Sequence, residues 1–213
     1  MGSDSAYYVE ESPQHKVYVE AFWIDKTEVT NQQYNECVGA GACAASGCAD
    51  DERFNDLTQP VVCVSWHDAT RYAAWVGGRL PTEAEWEKAA RGTDGRQYPW
   101  GEEFDSRRAN TWEGGALRST PVGEYSPQGD SPYGAADMAG NVWEWTSSLH
   151  KGYPYNADDG REDPDAAGFR VVRGGSFLLN QKAAYCPARR PAGPQARDNS
   201  VGFRVGVSAL APE

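Results

Sequence analysis

The sequence predicts an α+β fold with a high loop fraction, and three observations lead there. Alternating and helical apolar periods both occur, but only in short stretches. The 23 glycines and 13 prolines punctuate the chain too often for long regular elements. Eight tryptophans, eleven tyrosines and six phenylalanines among 213 residues supply the large side chains of one aromatic core, so a single domain over residues 1–213 is expected.

The elements follow in order. Lys16 to Ile24 (KVYVEAFWI) alternates and is rich in β-branched and aromatic residues, the mark of a half-buried strand. Asp25 to Val38 opens a helix that Thr30 can cap, with Tyr34, Cys37 and Val38 near one face. Gly39 to Thr58 has no apolar period and reads as an insertion loop. The short apolar run after Pro60 (VVCVSW) reads as a strand containing Cys63. Asp68 to Val76 is helical by its Ala69, Tyr72, Ala73 and Val76 spacing, and Gly77-Gly78 ends it. A further helix starts at Pro81, with Glu83 and Glu85 at the positive end of its dipole, and runs to Gly92. From Gly95 onward only short β-like or irregular pieces remain, and no internal repeat is present.

Charge and cysteines narrow the function classes. A net charge of −11 opposes binding to phosphate backbones, so nucleic acid is not an expected partner. The sequence contains no apolar run long enough to span a bilayer and opens with no signal-peptide pattern. Cys37, Cys43, Cys48 and Cys63 crowd around the insertion loop without zinc-like spacing, and are read as two disulfides of open connectivity, with Cys186 left over. Disulfides imply an extracytoplasmic setting: periplasmic, secreted or surface-displayed.

Five runs then carry a resemblance: FWIDKTEVTNQQY, PVVCVSWHDATRYAAWVGGRLPTEAEWEKAARG, YPWG, YGAADMAGNVWEW, and RVVRGGS with NSVGFRV. In order and spacing they are similar to the signatures of the formylglycine-generating (sulfatase-modifying) enzyme family, over Phe22 to Val205. The resemblance implies a loop-rich, C-type-lectin-like fold. It makes Trp66, Trp75, Trp86, Trp100, Trp143 and Trp145 expected core residues, and assigns Arg79, Arg173 and Arg204 to buried ion pairs. Gly174-Gly175 and Gly202 then mark close backbone passages.

Fold does not settle chemistry. The family's oxidase resembles a copper-thiolate enzyme whose two cysteines follow the motif serine by three and eight residues. Counted from Ser176, those positions hold Leu179 and Ala184, neither of which can bind Cu(I), so copper is not expected. No two-histidine, one-carboxylate pattern surrounds His15, His67 or His150, which argues against the non-haem iron chemistry of other relatives. No catalytic residue is therefore nominated.

Two sites remain. The resemblance implies a structural calcium ion at the turn Asp137 to Glu144, with Asp137 and Glu144 as side-chain ligands and Gly140 and Val142 as backbone ligands. The segment Phe177 to Ser200 lies where lectin-like relatives display ligand contacts and where variable proteins of diversity-generating retroelements are diversified. Its candidate contacts are Phe177, Leu178, Leu179, Asn180, Gln181, Tyr185 and Arg189. The expected function is a non-catalytic module binding a protein or small ligand at that surface, with the copper oxidase as the enzymatic alternative.

Overall fold

A computed structural model describes residues 1–209. Three helices come first: α1 (Asn31–Gly39), α2 (Trp66–Trp75) and α3 (Glu83–Arg91). Each begins the same way. Thr30, Ser65 and Thr82 accept from the backbone N–H three residues on, and Gln33, Asp68 and Glu85 return the bond, so each start satisfies its own orphan donors. The α2 helix starts at Trp66, ahead of the expected Asp68, because Ser65 caps it. Pro81 lies just outside α3, whose cap is Thr82.

Two sheets complete the fold. β1 (Phe22–Ile24) pairs antiparallel with β6 (Gly206–Ser208), placing Trp23 opposite Val207. The larger sheet contains β2 (Trp143–Leu149), β3 (Arg170–Arg173), β4 (Arg189–Ala192) and β5 (Val201–Gly202), in the order β4-β3-β2-β5. β2 runs antiparallel to β3 and parallel to β5, while a short helix, α4 (Gln181–Ala184), precedes β4. The strand expected over Lys16 to Ile24 is confined to its last three residues, because β6 offers only three partners. Cys63 is not in a strand either. It turns at φ 57° and donates its N–H to the Asp198 carbonyl at 3.0 Å.

The core is aromatic, as expected. Trp66, Trp86, Trp143 and Trp145 are buried, whereas Trp75 is exposed and Trp100 half-buried. Polar residues on β2 are buried because partners meet them: Thr146 donates to the Val171 carbonyl and Ser148 to Glu162. Glu144 takes the Arg204 guanidinium on both oxygens, at 2.7 Å each. A second buried ionic network ties α3 to the sheet: Arg189 grips Glu83 with two bonds of 2.7 Å, and Arg173 and Arg91 share Glu87. Arg79 pairs with Glu85, and Arg173 and Arg204 are fully buried.

The insertion loop is stapled by Cys37–Cys43 and Cys48–Cys63, while Cys186 is free and buried. Thiol titration of denatured, unreduced protein should therefore find one free thiol. Reduction should lower the melting temperature. The 15-residue separation of Cys48 and Cys63 corresponds to about 3 kcal/mol of loop entropy, and the 6-residue separation of Cys37 and Cys43 to less. An unchanged melting temperature after complete reduction would show that the staples do not hold the fold.

Candidate functional site

After β3 the chain turns through Gly174 and Gly175, at φ 95° and 75°. A Cβ on Gly175 would stand 2.7 Å from the Ala183 carbonyl oxygen, so only glycine lets the turn close on α4. The turn sends Phe177 inward, where its N–H donates to the Asn141 carbonyl and its ring packs 6.0 Å from Phe54. Leu178 is thrown outward at 44% exposure, while Leu179 is half-buried against the main core. Asn180 then caps α4, its side chain accepting from the Lys182 N–H at 3.1 Å.

A groove of about 590 Å³ opens over this segment. Leu178, Leu179 and Asn180 form part of it, β4 contributes Arg189 and Arg190, and Trp112 and Trp143 add aromatic surface. The remaining wall is the N-terminal segment, Tyr8 to Glu11. It is fastened by Tyr185, whose hydroxyl donates to Glu11, by Arg189, whose guanidinium donates to the Glu10 carbonyl, and by the edge-on contact of Tyr7 and Tyr185 at 5.0 Å. Burial raises the Glu11 carboxyl above its usual range and also pushes the Tyr185 phenol up.

Of the seven expected contacts, then, Leu178, Leu179, Asn180 and Arg189 line one groove. Phe177 and Tyr185 are corrections: both are 1% exposed, the first in a core cluster and the second bonded to Glu11. Gln181 is exposed outside the groove lining, its N–H donating to Glu113. Arg189 lines the groove, but its charge is committed to Glu83. Glu11, Trp112, Trp143 and Arg190 were not among the expected contacts. The N-terminal wall carries no local motif that could have announced it.

Leu179 and Ala184 stand where the oxidase resemblance requires thiols. Leu179 packs on the core and Ala184 lies against Ala109 and Ala139. Cys186 is in another cluster with Trp86 and Met138, and burial pushes its thiol up to about 12, away from the thiolate that binds copper.

The calcium turn is rearranged relative to expectation. Asp137 and Asn141 both turn at φ 56°, and Gly140 is tight against the Asn110 carbonyl. Both Glu144 oxygens accept from Arg204, and one also accepts the Trp86 indole N–H at 2.8 Å. Glu28 stands beside Asp137; it is 1% exposed, and its Oε1 accepts from Asn141. Burial, then the charges of Asp137 and Glu144, push the Glu28 carboxyl well up, and burial raises Asp137 as well.

Residues 1–209 match the model of the sulfatase-modifying factor enzyme 1-like domain. The formylglycine-generating enzyme of Streptomyces coelicolor is 35% identical over 267 residues, covering 93% of this chain and 82% of that protein. The inactive C-alpha-formylglycine-generating enzyme 2 of Mus musculus is 38% identical over 174 residues, covering 74% of this chain and 52% of its own length, so the chain spans about half of that relative. Treponema denticola variable protein 1 shares the fold, with a TM-score of 0.74 at 21% identity, over 97% of this chain and 90% of its own. The loop-rich, C-type-lectin-like α+β domain expected from the motifs is thus the observed one. By its motifs, its architecture and its matched length together, this chain belongs to the sulfatase-modifying factor enzyme 1-like family.

Proposed function

We propose that the protein is a non-catalytic binding module on the formylglycine-generating-enzyme scaffold, with the groove between Tyr8–Glu11, α4 and β4 as its binding face. One observation carries this reading: the groove is lined by Leu178 and Leu179 in the segment where the oxidase resemblance calls for two thiolates, and neither Leu179 nor Ala184 can ligate copper. Its concave shape and mixed apolar and polar lining suit a bound ligand. The two disulfides support a working place outside the cytoplasm, and no helix of the described residues is long and apolar enough to cross a membrane.

The test has a catalytic and a binding arm. Protein supplied with Cu(I) and a cysteine peptide of sulfatase type should consume no oxygen and form no aldehyde. A chemically diverse fragment library, followed by methyl NMR, should give hits that perturb Leu178 and Leu179. Leu178→Ser should weaken those hits and change stability by less than about 0.5 kcal/mol, because Leu178 is exposed. Leu179→Ser should cost more, about 1–3 kcal/mol, because Leu179 packs on the core. Turnover of the peptide, or hits that map away from the groove, would overturn the proposal.

A second reading concerns calcium. Two observations favour an ion beside Asp137: the Glu28 and Asp137 carboxyls are buried next to each other, and Arg204 is committed to Glu144. We propose that Asp137 and Glu28 supply the carboxylates, with backbone oxygens of the Gly140 to Val142 turn beside them. The ion would neutralise charge that burial otherwise disfavours.

A further inference from the structure

Three of the four buried core tryptophans have an acceptor for the indole N–H. Trp66 donates to the Thr146 carbonyl at 2.8 Å, Trp86 to Glu144 at 2.8 Å and Trp145 to the Val64 carbonyl at 3.1 Å. Trp143 differs. It is 3% exposed, its Nε1 has no partner, and it lines the groove. An unmet buried donor costs about 1–3 kcal/mol, so its persistence at a cavity wall asks for an acceptor that arrives from outside.

Glu11 makes the complementary case. Its Oε2 accepts from the Tyr7 and Tyr8 N–H groups at 3.1 and 3.0 Å and from the Tyr185 hydroxyl, whereas the buried Oε1 accepts nothing. The groove therefore holds one unmet donor and one unmet carboxyl oxygen. Two of its loose charges follow the same division, Glu10 and Arg190, whereas the Lys182 ammonium lies over the ring of Tyr7, whose N–H donates to Glu11. Glu10, beside Glu11, forms no ion pair among the described residues, and neither do Arg190 and Lys182. The Arg190 guanidinium lies over the Trp143 ring, 5.9 Å from its centre, so a cation stands beside the residue that carries the free N–H. Apolar surface from Leu178, Leu179 and Pro191 accompanies both.

Resting on the binding role proposed above, we infer that the groove takes a small zwitterion with an apolar body, an α-amino acid or a short peptide with both ends free. Its ammonium group is received by Glu11 and Glu10, and its carboxylate by the Trp143 Nε1 and Arg190. Charge-assisted bonds at both ends make each end necessary, because blocking one restores the unmet group that the ligand had satisfied.

Calorimetry on the whole chain with leucine, leucyl-leucine, N-acetyl-leucine and leucinamide tests this. Leucine or leucyl-leucine should bind, and the stronger of the two identifies the source as free amino acid or peptide. Loss of either terminal charge should weaken binding at least about tenfold. Trp143→Phe keeps an aromatic ring in the core and deletes the unmet N–H together with part of the indole. Whatever the cavity does to its melting temperature, it should bind leucine or leucyl-leucine about tenfold more weakly, with leucinamide unaffected. Glu11→Gln should abolish the preference for a free amine. If the blocked compounds bind as well as the free ones while perturbing Leu178, the binding module stands and the zwitterion falls. If none of the four binds at millimolar concentration, the zwitterion also falls, whatever the fragment library finds.

Discussion

Replacing Arg204 by Met should destabilise the protein by about 3–5 kcal/mol, a large share of the roughly 5–15 kcal/mol that holds an ordinary domain together. The guanidinium is fully buried. It meets both Glu144 oxygens and donates to the carbonyls of Asp25, Lys26 and Ala136. Methionine fills part of the volume but leaves Glu144 without its ionic partner beside Glu28 and Asp137, whose charged forms Arg204 also favours. Adding Glu144→Gln to Arg204→Met should recover part of the loss, since the unpaired charge goes with it. Urea titration followed by circular dichroism reads both. An Arg204→Met midpoint equal to wild type would mean that the pair contributes nothing to the fold.

The second large effect is a dependence of stability on pH that calcium should reverse. Glu28 and Asp137 have folded-state carboxyls raised above their unfolded values, by burial first. Above the unfolded carboxylate range the native state therefore keeps a proton that the unfolded chain has released. Without calcium, stability is fullest at low pH and falls as pH rises toward the raised values, by up to about 1.4 kcal/mol per pH unit for each group. An ion that replaces the retained protons removes this penalty and binds only the native state, so its stabilisation should be larger at about pH 8 than at about pH 5. Glu28→Gln should be the more stable variant at pH 8 in chelator, show a flatter pH profile, and gain little from calcium. Equal melting temperatures with and without calcium at both pH values would exclude the ion. The flattened profile of Glu28→Gln would then stand as a property of the carboxyl pair alone.

The helices were legible because their signals are local. Thr30 and Thr82 announce their helices within four residues, and the small displacement at Trp66 reflects a serine cap one position earlier. What the sequence hid depends on distant partners. Lys16 to Ala21 has a strand's alternation, but pairing stops where β6 stops. Cys63 looks like a strand residue, yet its bridge to Cys48 and its bond to Asp198 fix a turn. At the site, the Leu178 to Asn180 stretch was recognisable from its place after the GGS turn. Phe177 and Tyr185 share that stretch's composition, but their burial is set by Phe54 and by Glu11, far away in the chain. The surroundings of the calcium turn were hidden for the same reason: nothing near Glu144 reveals that Arg204 will pair with it, or that Glu28 will approach Asp137.

The fastening of Tyr8–Glu11 to Tyr185 and Arg189 also constrains how the molecule comes into being. Those contacts join residues 174 and 179 positions apart, among the longest loops this chain can close. Such contacts form late, because the entropy of closing the loop is lost before the contact returns anything. On a ribosome Tyr8 to Glu11 emerge long before β4 exists to receive them. The groove is therefore an end product of folding, present only in molecules whose Tyr8–Glu11 segment has met Tyr185 and β4. Any ligand that needs both walls discriminates finished protein from nascent chain.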